Sequence, residues 1–214
     1  MIMIEVEKMQ AKSAYAVFAQ GLGSFAEIRS ELVRKAIHFL IAFTPLLASY
    51  NRSLALACLA SGTLFYALAE TARLSGIRVP VISALTAVAA RDRDRGRFVL
   101  GPVTLGIGAM LSLLLYPNPA ATIAIYSLAF GDGLASLVGK VFGRMRPAFL
   151  FGKSIEGSAA CFLVVFATTA RILGDIRIAF FAALTATLVE ALPLEDYDNV
   201  ALPMSVGLVV VALS

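Results

Sequence analysis

Residues Gly131–Gly157 read GDGLASLVGKVFGRMRPAFLFGKSIEG, and the fold is decided by where this stretch sits. It starts inside one apolar run and ends at the start of the next, so Asp132 falls several residues into hydrocarbon with no Lys or Arg beside it. An ionisable side chain at that depth costs about 2.5–3.5 kcal/mol on insertion scales and marks a functional position. At helical spacing Asp132, Ala135 or Ser136, Gly139 and Gly143 share one face, a strip of small residues headed by a carboxylate. A basic loop with Lys140, Arg144 and Arg146 follows, then Gly152-Lys153-Ser154 and Glu156-Gly157. These residue types suit a phosphate-rich ligand carrying a divalent cation. Taken alone, Gly139-x-x-x-Gly143 equally fits ordinary small-residue packing between membrane helices. Gly152-Lys153-Ser154 is not a P-loop: Pro147 stands where its first glycine belongs, and no strand precedes it.

Outward from this stretch the chain stays apolar. Of 214 residues 59% are hydrophobic and 15% charged, outside soluble usage, and no linker or repeat divides them. The expected fold is all-α, a polytopic membrane protein with about seven transmembrane helices. The apolar segments run over about Ala36–Tyr50, Ser53–Leu74, Val99–Tyr116, Ala120–Phe142, Gly157–Leu173, Ile176–Leu192 and Val200–Ser214. Several fall short of the roughly 20 residues a perpendicular helix needs, so flanking turns must extend them. Val79–Ala90 is apolar but too short to span and reads as a surface or re-entrant helix. Residues 1–30 mix charges with apolar side chains and lack the basic start and apolar core of a signal peptide, so an amphipathic surface helix is expected there. Residues 31–214 then form one membrane-embedded domain. Cys58 and Cys161 lie in apolar runs with no disulfide or metal spacing, and a single His makes a structural zinc site improbable.

With the N-terminus inside, the seven-span count puts every Lys and Arg except Arg52, Arg171 and Arg177 on inner segments. That asymmetry sets the N-terminus in the cytoplasm and the C-terminus outside. Asp132, Lys153, Glu156, His38, Glu70, Glu190 and Asp198 then gather at the inner ends of the helices, where a soluble, charged co-substrate would meet them.

Two further clusters share that side. Arg34-Lys35-x-x-His38 puts Arg34 and His38 on one helix face, with His38 one turn deeper. Taken alone, this is a membrane anchor plus a hydrogen-bonded histidine. Glu190, then Asp198-Asn199 and Pro203, place acids on both sides of a tight turn; Glu195 and Asp196 read as solvated loop residues. Glu70 is left between a site role and an ion pair with Arg73.

The D-x-x-A-x-x-x-G-x-x-x-G pattern from Asp132 to Gly143, followed by K-x-x-E-G from Lys153 to Gly157, resembles the nucleotide-binding signature of CTP-dependent lipid-alcohol kinases. That family includes dolichol kinase, phytol kinase and CTP-dependent diacylglycerol kinase, with phosphatidate cytidylyltransferase more distant. The R-K-x-x-H and E…D-N…P elements are similar to the family's as well, and the resemblance covers about Glu31 to Pro203. The compact length leans toward the phytol-kinase-like prokaryotic branch. The S-P-x-K-T-x-E-G-type signature of cytidylyltransferases is not matched, since Phe151-Gly152 replace its Ser-Pro.

The resemblance implies transfer of the γ-phosphoryl group of CTP to a lipid alcohol such as a polyprenol, phytol or diacylglycerol. The implied catalytic residues are Asp132, His38 and Glu156. Nucleotide and phosphate would be held by Arg34, Lys35, Ala135, Gly139, Lys140, Gly143, Arg144, Gly152, Lys153, Ser154 and Gly157. Mg²⁺ would be held by Asp132, Asp198, Glu190 and Asn199. Implied partners are CTP, the lipid alcohol and membrane lipids, with no nucleic acid and a homo-oligomer left open. The implied location is a prokaryotic cell membrane with the site facing the cytoplasm. Cytidylyl transfer and a non-enzymatic transporter with Asp132, Glu70 and Glu190 as an ion relay are the competing readings; against the relay, no acid or His lies in an outer half-span.

Overall fold

The computed structural model of the chain describes residues 29–77, 79, 80, 82, 84, 86, 94 and 96–214. The expected surface helix of residues 1–30 lies almost wholly outside the described residues, as does most of the expected short helix over 79–90. All secondary structure among the described residues is helical. Helix α1 covers residues 29–41 and tightens at Ala42 and Phe43, whose N–H groups reach back only three residues. Helix α2 (Thr44–Tyr50) restarts with Pro45 in its first turn. Pro45 offers no N–H to the carbonyl of Ile41, so the sequence itself breaks the long helix here. Helix α3 (Arg52–Leu74) is capped by the Asn51 side chain, which accepts from the Leu54 N–H at 3.0 Å.

Four more helices follow α4 (Gly101–Leu115): α5 (Ala120–Val141), α6 (Ile155–Leu173), α7 (Ile176–Ala191) and α8 (Asp198–Leu213). Residues Ser127–Asp132 of α5 form a π-helical turn, a feature often found at functional sites. Helices α6 and α7 make a hairpin. Gly174 ends α6 at φ 71°, and Asp175 caps α7 by accepting from the N–H groups of Arg177 at 2.8 Å and Ile178 at 3.1 Å. The Ile178 N–H, with that of Arg177, holds the Asp175 carboxyl below its ordinary pKa.

The packing is inverted relative to a soluble bundle. Ala179, Ala182, Ala183 and Ala186 of α7 are fully buried, while Leu40, Leu46, Leu64, Leu68, Leu188 and Leu208 are 60% or more exposed. Small residues inside let helices approach without a hydrophobic drive, and large apolar ones face outward, as hydrocarbon requires. Pro203 shows the same economy of space. It cannot donate to the Asn199 carbonyl four residues back, and that carbonyl faces Gly108 of α4, where any side chain would collide with it.

Four helical stretches are long and apolar enough to cross a membrane: Arg29–Tyr50, Arg52–Leu74, Ala120–Val141 and Ile155–Leu173. Helices α4 and α8 are apolar but shorter, and α7 has 16 residues. Asn51-Arg52 meets the end of α4, with the Arg52 guanidinium donating to the Leu113 carbonyl. At the opposite end Asn199 donates to the Gly101 carbonyl at 3.2 Å and to Thr104 Oγ1 at 3.0 Å.

Candidate active site

Asp132 closes the π-helical turn of α5 and is 4% exposed. Glycines flank it, and both are needed for close approach. A Cβ on Gly131 would lie 3.0 Å from Val165 of α6, and one on Gly133 2.8 Å from the Phe39 ring of α1. The two neighbouring helices can therefore press against the acid from either side. From α1, the buried Lys35 ammonium donates to Asp132 Oδ2, and His38 Nδ1 lies 3.2 Å from the same oxygen. Positions i and i+3 of one helix thus converge on one carboxylate. Buried ions persist only when paired, and here the pair joins helices 97 residues apart.

Asp132, Lys35 and His38 border a small cavity whose lining also includes Arg34, Ile37 and Tyr66, and Asp196, Asp198 and Asn199 at the start of α8. A second cavity shares Arg34 with it. Its lining includes Ala135, Gly139, Lys140, Arg146, Gly152, Lys153, Ser154, Gly157 and Glu190. Arg34 borders both and pairs with Glu31, which also takes Lys140 Nζ at 2.8 Å.

The basic loop has a tight local logic. Arg146 donates to the Gly152 carbonyl at 2.7 Å and to the Gly139 carbonyl at 2.6 Å. Gly152 sits at φ 87°, directly after Phe151 at φ 50°, so the chain reverses through two left-handed residues. Ser154 caps α6 by accepting from the Gly157 N–H at 3.1 Å. Gly139 and Gly157 mark the crossing of α5 and α6: a Cβ on Gly157 would lie 2.6 Å from the Ala135 carbonyl oxygen. Lys153 reaches out of this loop to α7, with Nζ 2.8 Å from Glu190 Oε1 and a hydrogen bond to the Glu190 carbonyl.

The residues singled out in the sequence are therefore brought together in two groups. Asp132, Lys35, His38, Asp198 and Asn199 border the first cavity, whereas Ala135, Gly139, Lys140, Gly152, Lys153, Ser154, Gly157 and Glu190 border the second. Several of these residues have specific partners. Lys35 is bound to Asp132. Glu190 faces the second cavity with Lys153, apart from the other three residues of the expected Mg²⁺ set. Glu156 lines neither cavity; its carboxylate accepts from the backbone N–H groups of Arg144 at 3.0 Å and Met145 at 3.3 Å, which anchors the loop to α6. Arg144 and Gly143 line neither cavity, whereas Arg146 lines the second.

Glu70 resolves to a structural role. It accepts from Arg73 Nε and Nη2, both at 2.8 Å, and from the Val99 N–H at 3.0 Å. Asp196, read as a solvated loop residue, borders the first cavity. Glu31, 1% exposed, escaped notice, although Glu31, Arg34, Lys35 and His38 follow helical spacing and could have been read as one charged face. Among the described residues no three His, Cys, Asp or Glu side chains are grouped closely enough to hold a metal ion alone.

The described residues thus form an outwardly apolar helical chain, with a cation-bound acid lining one cavity and a cluster of cations and glycines lining another. No family model matches the chain, and no solved structure matches it. Its curated relatives are phytol kinases. A probable chloroplastic phytol kinase of Triticum aestivum is 30% identical over 144 residues, 59% of this chain and 48% of the relative. The phytol kinase of Synechocystis sp. is 34% identical over 142 residues, 62% of this chain and 59% of the relative. A probable phytol kinase 2 of Oryza sativa subsp. japonica is 27% identical over 214 residues, 90% of this chain and 69% of the relative. The chain spans about half the length of the relatives from Triticum aestivum, Glycine max and Zea mays. The relatives that match are thus plant and cyanobacterial phytol kinases, similar to this chain over about 60% of its length in most cases.

Proposed function

We propose that the chain phosphorylates an isoprenoid lipid alcohol of the phytol type, with CTP as donor, at the cytoplasmic face of a membrane. The observation that carries this reading is Asp132, buried in a helix that reads as membrane-spanning, paired with Lys35 and His38, in a cavity that shares Arg34 with a second one lined by glycines and cations. Names of the homologues supply the alcohol, and the resemblance of Asp132–Gly157 to the family signature supplies CTP.

In this reading the second cavity holds the triphosphate. Lys140, Arg146 and Lys153 neutralise it, and Gly139 and Gly157 leave room for it against the helix backbone. The alcohol presents its hydroxyl in the first cavity. Its oxygen attacks the γ-phosphorus in line, the bond to the β-bridging oxygen breaks, and CDP leaves. His38 takes the hydroxyl proton, Asp132 balances the imidazolium, and Lys35 keeps the carboxylate ionised and aimed. Arg34, which borders both cavities, stabilises charge on the phosphoryl group in transit.

Asp132, Asp196 and Asp198 give the first cavity the hard oxygen donors that Mg²⁺ prefers. One or two of them with phosphate oxygens suffice, which fits a site that is not closed by protein alone. When bound, the ion would neutralise charge on the triphosphate. Residues 31–214 form the kinase domain, with seven membrane crossings, the N-terminus in the cytoplasm and the C-terminus outside. Purified protein given CTP and phytol should yield phytyl phosphate and CDP; pyrophosphate with a CDP-lipid would replace this reading by cytidylyl transfer.

A further inference from the structure

The two polar cavities leave a third, larger space unused. Helices α1, α2 and α3 line an open apolar groove whose walls include Leu40, Ile41, Leu47, Cys58 and Leu59. Phe43, Thr44 and Leu46, around the Pro45 break between α1 and α2, lie on its wall. Ile37 borders both this groove and the cavity that holds Asp132. One turn earlier, Arg34 borders that cavity and the basic one beyond it. Along a single face of α1 the lining therefore passes from apolar groove to acid to cations, in steps of one helical turn.

We infer that this groove is the binding site for the hydrocarbon tail of the lipid alcohol, with Ile37 as the residue past which the tail turns into the reaction cavity. The inference rests on the kinase reading above and deepens it. A substrate with an apolar chain, a terminal hydroxyl and a phosphorylated donor beyond it requires three compartments in this order. The groove is one of three cavities along α1, and it joins the acidic cavity through a shared wall. Leu40, Phe43 and Leu46 around it are strongly exposed, so a lipid already in the bilayer can enter sideways without crossing water. Apolar burial gives no net drive from lipid into such a groove, so selection must come from its length and shape.

Two measurements test this, the first independent of turnover. A C20 isoprenoid alcohol with a diazirine at its tail end, photolysed with the protein in nanodiscs, should crosslink to α2 and α3 around Leu47, Cys58 and Leu59. Excess phytol should suppress those crosslinks, and excess phosphatidylglycerol should not. Crosslinks spread evenly over the outward faces of α6 and α7, or competed equally by the phospholipid, would make the groove ordinary lipid contact and overturn the inference. The second measurement fills the groove with Cys58→Trp or, separately, Leu59→Phe. The kcat/KM ratio of phytol over a C5 prenyl alcohol should fall about tenfold, in line with the selectivity a hydrophobic pocket carries. An unchanged ratio in both variants would also overturn it. If neither alcohol is phosphorylated even by the wild type, the kinase reading fails, while the crosslinking result still stands or falls separately.

Discussion

Around Asp132 the interacting charges come from helices far apart in the chain, whereas the cations and glycines of the basic cavity come almost entirely from one stretch of sequence. Lys35 and Asp132 are separated by 97 residues. Lys140, Arg146, Gly152, Lys153, Ser154 and Gly157 all fall between the last turn of α5 and the first turn of α6, and Glu31, Arg34 and Glu190 arrive from elsewhere. The first arrangement ties the fold to the chemistry, because removing a charge there disturbs helix packing. The second is a loop cradle that can lose a member and remain a loop.

Substitutions should expose this contrast. Asp132→Asn should lower kcat by about 10²–10⁴-fold, the range of a lost acid–base partner. Lys35→Met should lower the Tm of the detergent-solubilised protein, since a buried carboxylate left without its cation costs about 3–5 kcal/mol. The Lys35→Met/Asp132→Asn double variant should recover Tm and leave turnover lost. Recovery of both would mean that the pair serves packing alone.

On the other side of Arg34 the effects are smaller. Lys153→Ala should weaken CTP binding about tenfold to a hundredfold by equilibrium titration, the worth of a charge-assisted contact. Unchanged CTP affinity would remove the triphosphate from that cavity. Gly157→Ala presses a methyl group against the Ala135 carbonyl and should cost about 1–3 kcal/mol, read as a drop in Tm. Smallest of all, Glu156→Gln should leave kcat within about twofold, because an amide oxygen still accepts the N–H groups of Arg144 and Met145. A loss comparable to that of Asp132→Asn would return Glu156 to the reaction.

Sequence made the helices and one cavity legible for a simple reason: their signals are local. Apolar runs and the small-residue strip from Ala135 to Gly143 act within a turn or two of themselves. Asp132 was legible by depth alone. Its partners were not assigned, because helix spacing says which residues share a face and says nothing about which helix that face meets. Glu156 shows the same limit, since its motif does not disclose that its carboxylate accepts the backbone N–H groups of Arg144 and Met145. Asp196 was passed over because an acidic turn reads as solvated until the fold closes it over a cavity.

The central claim is that the Asp132 cavity is where a phosphoryl group passes from nucleotide to lipid. Wild-type and Asp132→Asn protein in vesicles, each given phytol with either [γ-³²P]CTP or [α-³²P]CTP, test it directly. The account predicts label in the lipid from γ-labelled CTP with the wild type alone, and none from α-labelled CTP with either. Lipid labelled from the α position, or equal γ-transfer by the Asp132→Asn variant, would contradict it.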